Sequence, residues 1–316
     1  MVIAATGGPE VLSMADVPRP TRINAEVLVK IMSAGVNPID AKTRAGGGTS
    51  AEISSYPAIL GRDFSGVVIE GPYEACAIKP GDEVFGMVAV PRTPGTYAEY
   101  VSVPLMSVAR KPPRLSHTEA AGVPLAALTA WGMIVDVAKA HEGQKILIHA
   151  GAGGVGHFAV QFAAYFGAHV IATGSQRNAS WLRELGAAEV IDYETTRFED
   201  VLSGLDVVAD LIGNLHDNTG TRSLKVLRPG GLVVTLPTCG WPTLIADASA
   251  AGVRATTYTV SDDGSTLAVI ARLLDSGDVR VHVDEVFGFD RIADAHAAIE
   301  GGHTRGKLVV TVSELT

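Results

Sequence analysis

The sequence is short of several things, and each shortage excludes a class of protein. Its only cysteines are Cys76 and Cys239, too few for a disulfide framework or a four-thiolate zinc site. A reducing cytoplasm is the expected compartment. Positive charge is in deficit, with 25 Lys and Arg against 34 Asp and Glu and a net charge of −9. That argues against general binding to nucleic acid or to an anionic membrane, while leaving room for a local basic pocket for phosphate. No apolar run reaches the ~20 residues needed to span a bilayer. The first residues, Met1-Val-Ile-Ala-Ala-Thr-Gly-Gly8, have no basic start and no long apolar stretch, so no signal peptide is expected. Internal repeats and low-complexity tracts are missing too. What remains is a chain of 316 residues, 47% apolar and 19% charged. That is the profile of a globular protein long enough for two domains.

The most informative stretch is Lys145-Ile-Leu-Ile-His-Ala-Gly-Ala-Gly-Gly-Val-Gly156. Ile146, Leu147 and Ile148 form the wholly apolar run of a parallel strand buried on both faces. Gly151, Gly153 and Gly156 then give G-x-G-x-x-G, with Gly154 and Val155 inside the turn. Val155, Phe158, Ala159, Phe162 and Ala163 follow at helical spacing. Strand, glycine turn and helix in this order suit a dinucleotide pyrophosphate. Gly151 is expected to make the tight turn, Gly153 to admit the phosphates and Gly156 to let helix and strand pack closely. A second apolar strand, His169–Thr173, should end where an NAD site usually carries Asp or Glu. Here the run is Thr173-Gly-Ser-Gln-Arg-Asn178, without a carboxylate. Ser175 and Arg177 can instead bind a 2′-phosphate, so NADPH is expected over NADH.

Before this centre the chain reads as β-rich to about residue 115. Glu26–Met32, Phe64–Glu70, Glu83–Phe85 and Thr96–Val103 have strand patterns, and Pro and Gly punctuate them closely. From Ser116 the texture changes. Ser116-His-Thr-Glu119 fits a capping box, and an alanine-rich helical stretch follows, broken near Pro124. Strands are expected at Ile146–His149, His169–Thr173, Glu189–Ile191, Val207–Asp210, Leu232–Leu236 and Arg254–Thr259, with helix-sized spacers between them. This is an α/β pattern, a doubly wound, six-stranded parallel sheet. Helices at Ser265–Ser276 and Asp290–Glu300 and a strand at Gly306–Val312 then leave the pattern. The expected division is 1–117 with 262–316 as one domain and 118–261 as the other.

Several motifs in order resemble one family. They are Asn37-Pro-Ile-Asp40, Gly61-Arg-Asp-Phe-Ser-Gly66, Gly81-Asp-Glu-Val-Phe-Gly86, Gly95-Thr-Tyr-Ala-Glu-Tyr100, Ala127-Leu-Thr-Ala-Trp131, the Gly151–Gly156 turn, Leu185-Gly-Ala-Ala-Glu-Val-Ile-Asp-Tyr193 and His303-Thr-Arg-Gly-Lys307. The chain resembles the zinc-independent quinone oxidoreductases of the medium-chain dehydrogenase/reductase superfamily. The resemblance implies a GroES-like β domain, a Rossmann domain inserted after it, a C-terminal return to the first domain, and an active-site cleft between the two. It implies NADPH as hydride donor. By position it implies that Asn37 and Thr129 face the nicotinamide and its ribose, that Ser175, Arg177 and Tyr193 surround the 2′-phosphate, and that Leu211, Leu236 and Pro237 line the nicotinamide. Lys307 matches a family lysine with either a structural or a phosphate-directed role. The family also commonly forms homodimers, and the β-branched run Arg254–Val260, read as an exposed last strand, gives that expectation a sequence motive.

Zinc-dependent relatives carry Cys where Asn37 stands and His-Glu where Arg62-Asp63 stand. Neither Asn nor Arg is an ordinary zinc ligand, and the nine histidines show no ligand spacing. The site therefore reads as metal-free, and His149 as a satisfied core histidine. Without a Lewis acid the acceptor should already be electron-poor, a quinone or an α,β-unsaturated carbonyl. Tyr56 and Tyr258 are candidate proton donors beside water. Three functions stay open at this point: a stand-alone quinone or enone reductase, a dedicated enoyl or enone reductase of a biosynthetic pathway acting on a free or carrier-bound substrate, and a non-catalytic NADPH-binding protein.

Overall fold

The computed structural model describes residues 1–91 and 94–313. Two compact units separate: Met1–Leu128 with the segment from Ser261 onward, and Thr129–Val260. The first unit opens with the short antiparallel pair β1 (Val2–Ile3) and β2 (Leu12–Ser13). Its centre is β3 (Glu26–Val36), buried along almost its whole length. It pairs antiparallel with β4 (Asp63–Glu70) and with β6 (Tyr100–Pro104). Beyond β4 lie β5 (Glu83–Met87) and β7 (Val108–Arg110). Val27, Val29 and Ile31 of β3 pack with Phe64, Val84 and Val101 in one apolar cluster. Ala34 and Val36, further along β3, join a second cluster around Tyr97. β6 is shorter than the expected Thr96–Val103, because Thr96 and Tyr97 bond instead to the carbonyls of Gly61 and Leu60.

The Ser116 cap forms as its sequence indicates. Glu119 N–H donates to Ser116 Oγ at 3.2 Å, and Ser116 N–H donates to Glu119 Oε2 at 2.9 Å. The helix so started, His117–Ala121, packs on β3 and β4. At Gly35 of β3 the approach is so close that a Cβ would stand 2.4 Å from the Ala121 carbonyl oxygen. That packing draws residues 118–128 into the first unit, so the second begins at Thr129, later than the expected boundary at 118.

The second unit carries β8 (Lys145–Ile148), β9 (His169–Gly174), β10 (Glu189–Asp192), β11 (Leu205–Asp210), β12 (Leu227–Thr235) and β13 (Arg254–Thr257). They form one parallel sheet in the order β10-β9-β8-β11-β12-β13. The order reverses direction between β8 and β11, the switch point at which open α/β sheets bind ligands. Leu147, Ile171, Val208 and Val233, one from each of four adjacent strands, build the core on one face. After Val260 the chain returns to the first unit. The helix Gly264–Ser276 presents buried Leu267, Ile270 and Leu274, and the helix Ile292–Glu300 follows. The strands β14 (Val283–Gly288) and β15 (Lys307–Thr311) pair in parallel, and β15 lies antiparallel to β3. β14 escapes the sequence pattern. It is an edge strand in which Phe287 alone is buried, so no alternation marks it. Among the described residues no helix is long and apolar enough to cross a membrane.

Candidate active site

In the second unit the candidate residues gather beyond the carboxyl ends of the parallel strands. The Gly151–Gly156 turn follows β8 and leads into the helix Gly156–Tyr165. Ser175 and Arg177 follow β9, Tyr193 follows β10, Leu211 follows β11, and Leu236 with Pro237 follows β12. In-register pairing (Ile148 with Ala172 and Ala209, Asp210 with Thr235) sets these ends side by side. Ser175 is buried, and its Oγ accepts from Asn178 Nδ2 at 3.3 Å. Arg177 and Tyr193 are exposed, Leu211 and Leu236 are half-buried, and Pro237 is exposed. Thr129 is buried in the helix Pro124–Trp131. Tyr258 follows β13, is half-buried and takes its ring over Gly132, where a Cβ would come within 2.0 Å of the phenolic oxygen.

The glycine turn departs from its expected division of labour. The left-handed residue is Ala150, with φ +50°, not Gly151. Such a conformation costs a non-glycine residue about 1–3 kcal/mol. Gly151 is required by crowding instead, since a Cβ there would stand 2.9 Å from Ala172 Cβ. At Gly156 a Cβ would stand 2.1 Å from the Ala150 carbonyl oxygen. Gly153 is the open one: a Cβ would meet the Ala150 oxygen at 3.3 Å and nothing else within 4 Å among the described residues. Gly153, Gly154 and Val155 are half-exposed. Bare backbone that faces outward at a helix start fits a pyrophosphate.

The first unit holds a different arrangement, a buried charge cluster. Asn37, one residue past β3, donates from Nδ2 to Asp63 Oδ2 at 2.9 Å and from its backbone N–H to Asp40 Oδ2 at 2.9 Å. Asn37 Oδ1 accepts from Lys307 Nζ, which also donates to the Val36 carbonyl at 3.1 Å. Lys307 Nζ lies 3.6 Å from Asp63, whose other oxygen accepts from Leu125 N–H at 2.7 Å. Tyr97 donates to Asp40 Oδ2 at 3.3 Å, and His296 Nε2 stands 3.1 Å from the Tyr97 hydroxyl. Burial pushes the Asp63 carboxyl up and the Lys307 ammonium down, and each holds the other back. Burial likewise drives Asp40 from 3.8 to about 6, against the pull of Arg62. Tyr56, 43% exposed on the loop before Pro57, takes no part in these hydrogen bonds.

Comparison with known proteins places this arrangement. Residues 24–113 match the alcohol dehydrogenase GroES-like domain, and residues 185–310 match the family described as zinc-binding dehydrogenase. The chain is 34% identical to the NADPH-dependent alkenal/one oxidoreductase, chloroplastic, of Arabidopsis thaliana, over 96% of this chain and 77% of that one. It is also 34% identical to the mitochondrial NAD(P)H oxidoreductase RTN4IP1 of Danio rerio, over 92% of this chain and 84% of that one. The quinone oxidoreductase from Coxiella burnetii superposes with a TM-score of 0.92 at 36% identity, covering 99% of this chain and 98% of that one. The chain belongs to the zinc-independent quinone oxidoreductases of the medium-chain dehydrogenase/reductase superfamily.

Within that family the cluster explains what stands at the positions where zinc-dependent relatives carry ligands. Asn37 and Asp63 turn toward a cation of the chain's own, the Lys307 ammonium. Of the two roles open to Lys307, the structural one fits this arrangement. The side chain is buried inside the first unit, with its donors committed to Val36, Asn37 and Asp63. Asp40 and Tyr97 belong to the Asn37–Asp40 and Gly95–Tyr100 motifs but were not singled out as site residues, although Asn37 and Asp40 have the three-residue spacing of a capping box.

The Asp40 environment has a pH signature. Its folded pKa lies above its unfolded one, so the folded chain holds a proton that the unfolded chain releases. This group's contribution to stability is full below pH 3.8 and falls as the pH rises toward about 6, by on the order of 3 kcal/mol. Asp40→Asn, never charged, should remove that slope. Urea unfolding of both proteins across this pH range should show the variant gaining on the parent as pH rises. Parallel profiles would contradict the buried charge.

Proposed function

We propose that this protein is an NADPH-dependent reductase that delivers hydride to a quinone or an α,β-unsaturated carbonyl. The observation that carries the reading is the pair of loops beyond β8 and β9: an open glycine turn beside Ser175 and Arg177, with no carboxylate between them. The turn and the start of the Gly156–Tyr165 helix suit the pyrophosphate. Ser175 Oγ accepts from Asn178 and keeps its own proton to donate to a 2′-phosphate, and Arg177 offers a bidentate cation. Tyr193 closes the adenosine end. Leu211, Leu236 and Pro237 flank the nicotinamide, and Thr129 orients its ribose. When bound, the nicotinamide supplies the hydride.

The acceptor class follows from the donor set around Asn37. An amide, an arginine and a lysine-paired carboxylate do not make a zinc site, so we read the reaction as metal-free. An acceptor already polarised by conjugation then suits the site better than a simple alcohol. The alkenal/one and quinone substrates in the names of the relatives agree with this reading. Asn37 acts in it as a positioning residue, held by Asp63 and Lys307, and Tyr56, Tyr258 or water returns the proton. We further propose a homodimer that pairs through β13, which ends the six-stranded sheet and leaves Arg254 and Thr257 exposed. The free thiols of Cys76 and Cys239 suit a reducing compartment such as the cytoplasm.

Three measurements test this reading. NADPH oxidation followed at 340 nm with a panel of quinones and conjugated enones should show turnover, and simple alcohols with NADP⁺ should not; the reverse pattern would sink the proposed chemistry. Arg177→Ala should weaken NADPH about ten- to a hundredfold and leave NADH nearly unchanged; equal affinity of the parent for both cofactors would remove the 2′-phosphate site. Light scattering should give twice the chain mass at micromolar concentration, and a monomer mass would rule the dimer out.

A further inference from the structure

The second unit contains a buried chain of side-chain hydrogen bonds that the cofactor reading does not use. His149 follows β8, with Nδ1 3.2 Å from Thr173 Oγ1 and Nε2 2.9 Å from Ser223 Oγ. Every bond in it has one direction. Ser223 Oγ donates its one proton to the Thr219 carbonyl at 2.8 Å. Toward His149 it can therefore only accept, and His149 carries its proton on Nε2. Nδ1 then offers a lone pair, and the Thr173 hydroxyl must donate to it. The lone pairs left on Thr173 Oγ1 face Ala150 N–H, which donates at 3.2 Å. The order is thus Ala150 N–H to Thr173 O–H to His149 Nδ1, then His149 Nε2–H to Ser223 O–H to the Thr219 carbonyl.

The imidazole fits this order only when neutral. Burial pushes it down to about 4; Asp210 pulls it up and Arg222 pushes it further down. Phe198 closes one side of the ring, edge to face at 4.7 Å. Thr173 also receives Gly151 N–H on its backbone carbonyl at 2.9 Å. Two successive N–H groups of the glycine turn therefore end on one residue of the neighbouring strand. Of these, the bond to the hydroxyl is the one that reaches the left-handed Ala150.

We infer that Thr173 and His149 are positioning residues for the cofactor: their one-directional hydrogen-bond chain holds Ala150 in its left-handed conformation and so keeps the Gly151–Gly156 backbone in the shape that accepts a pyrophosphate. This rests on the NADPH reading of the same turn. Both residues are buried and act through the backbone of the turn. Thr173 lies two residues before Ser175, yet its hydroxyl turns toward the turn on β8 rather than toward the adenosine phosphate. The chain ends on the helix Thr219–Ser223, beyond the loop that Asp210 holds through the N–H groups of Ile212 and Gly213. It thereby ties the ends of the neighbouring strands β8 and β9 to the helix Thr219–Ser223.

The test compares Thr173→Val, which keeps the shape and loses the hydroxyl, with Thr173→Ser, which keeps the hydroxyl. Affinity is measured for NADPH and for adenosine 2′-monophosphate, which keeps the 2′-phosphate and has no phosphate to place on the turn, well below each variant's melting temperature. Thr173→Val should bind NADPH about tenfold more weakly, Thr173→Ser within about twofold of the parent, and the monophosphate should bind both variants as it binds the parent. His149→Leu should lose about as much as Thr173→Val, and the double variant no more than either, because the two act as one unit. His149→Leu carries the test by itself if Thr173→Val does not fold. Parent-like NADPH binding by Thr173→Val or His149→Leu, equal losses in the Val and Ser variants, or an equal loss of the monophosphate would overturn the inference. A parent protein that binds no NADPH would overturn the cofactor reading first and this inference with it.

Discussion

One crowded contact governs the carboxyl edge of the six-stranded sheet. The carbonyl of Ala150 points at the Cα of Gly156, with no room for a Cβ between them. To aim the carbonyl there, Ala150 adopts a left-handed conformation that alanine rarely holds. The same carbonyl accepts from Gly153 N–H at 2.9 Å, so one atom sets both the tightness of the turn and the start of the helix behind it. The Gly153–Val155 backbone is left facing outward as a consequence. Sequence glycines make the contact sterically permissible, and the hydrogen bond to Thr173 from the neighbouring strand holds it in place.

The first unit meets a different constraint, that of buried charge. Asp40 and Asp63 are removed from water together with Arg62 and Lys307. Two carboxylates against two cations leave the cluster neutral, and each Asp63 oxygen has a donor. Removing one partner from such a pair usually costs more than the pair contributes, because the other is left charged in a dry site. The topology follows from this need. Lys307 opens the C-terminal strand β15, and the antiparallel pairing of β15 with the end of β3 brings its ammonium to Asn37. The return of the chain to the first unit therefore delivers a counter-charge as well as a strand.

Much of this was legible in the amino-acid sequence, for identifiable reasons. The parallel strands were readable because burial on both faces makes them short apolar runs, as in Ile146–Ile148. The Ser116 cap was readable because its chemistry is local, a serine and a glutamate three residues apart. His149 proved the satisfied core histidine that its place in a strand suggested. What stayed hidden depends on distant partners. Lys307 lies 270 residues from Asn37 along the chain, and only the fold decides between a structural and a phosphate-directed lysine. Asp40 stands in the Asn37–Asp40 motif, and nothing local to it tells that it is buried and bonded to Tyr97 far along the chain. Gly151 was expected to make the tight turn, but the left-handed residue there is Ala150, and what requires glycine at 151 is tertiary crowding against Ala172.

The most direct test of the central claim follows the hydride itself. NADPH carrying deuterium at both C4 positions is incubated with the protein and a conjugated enone, and the product is examined by mass spectrometry and NMR. The account predicts one deuterium per turnover, carried at the β-carbon, with the α-hydrogen taken from water. Product formed without the label, or label delivered to the carbonyl carbon to give an allylic alcohol, would contradict it.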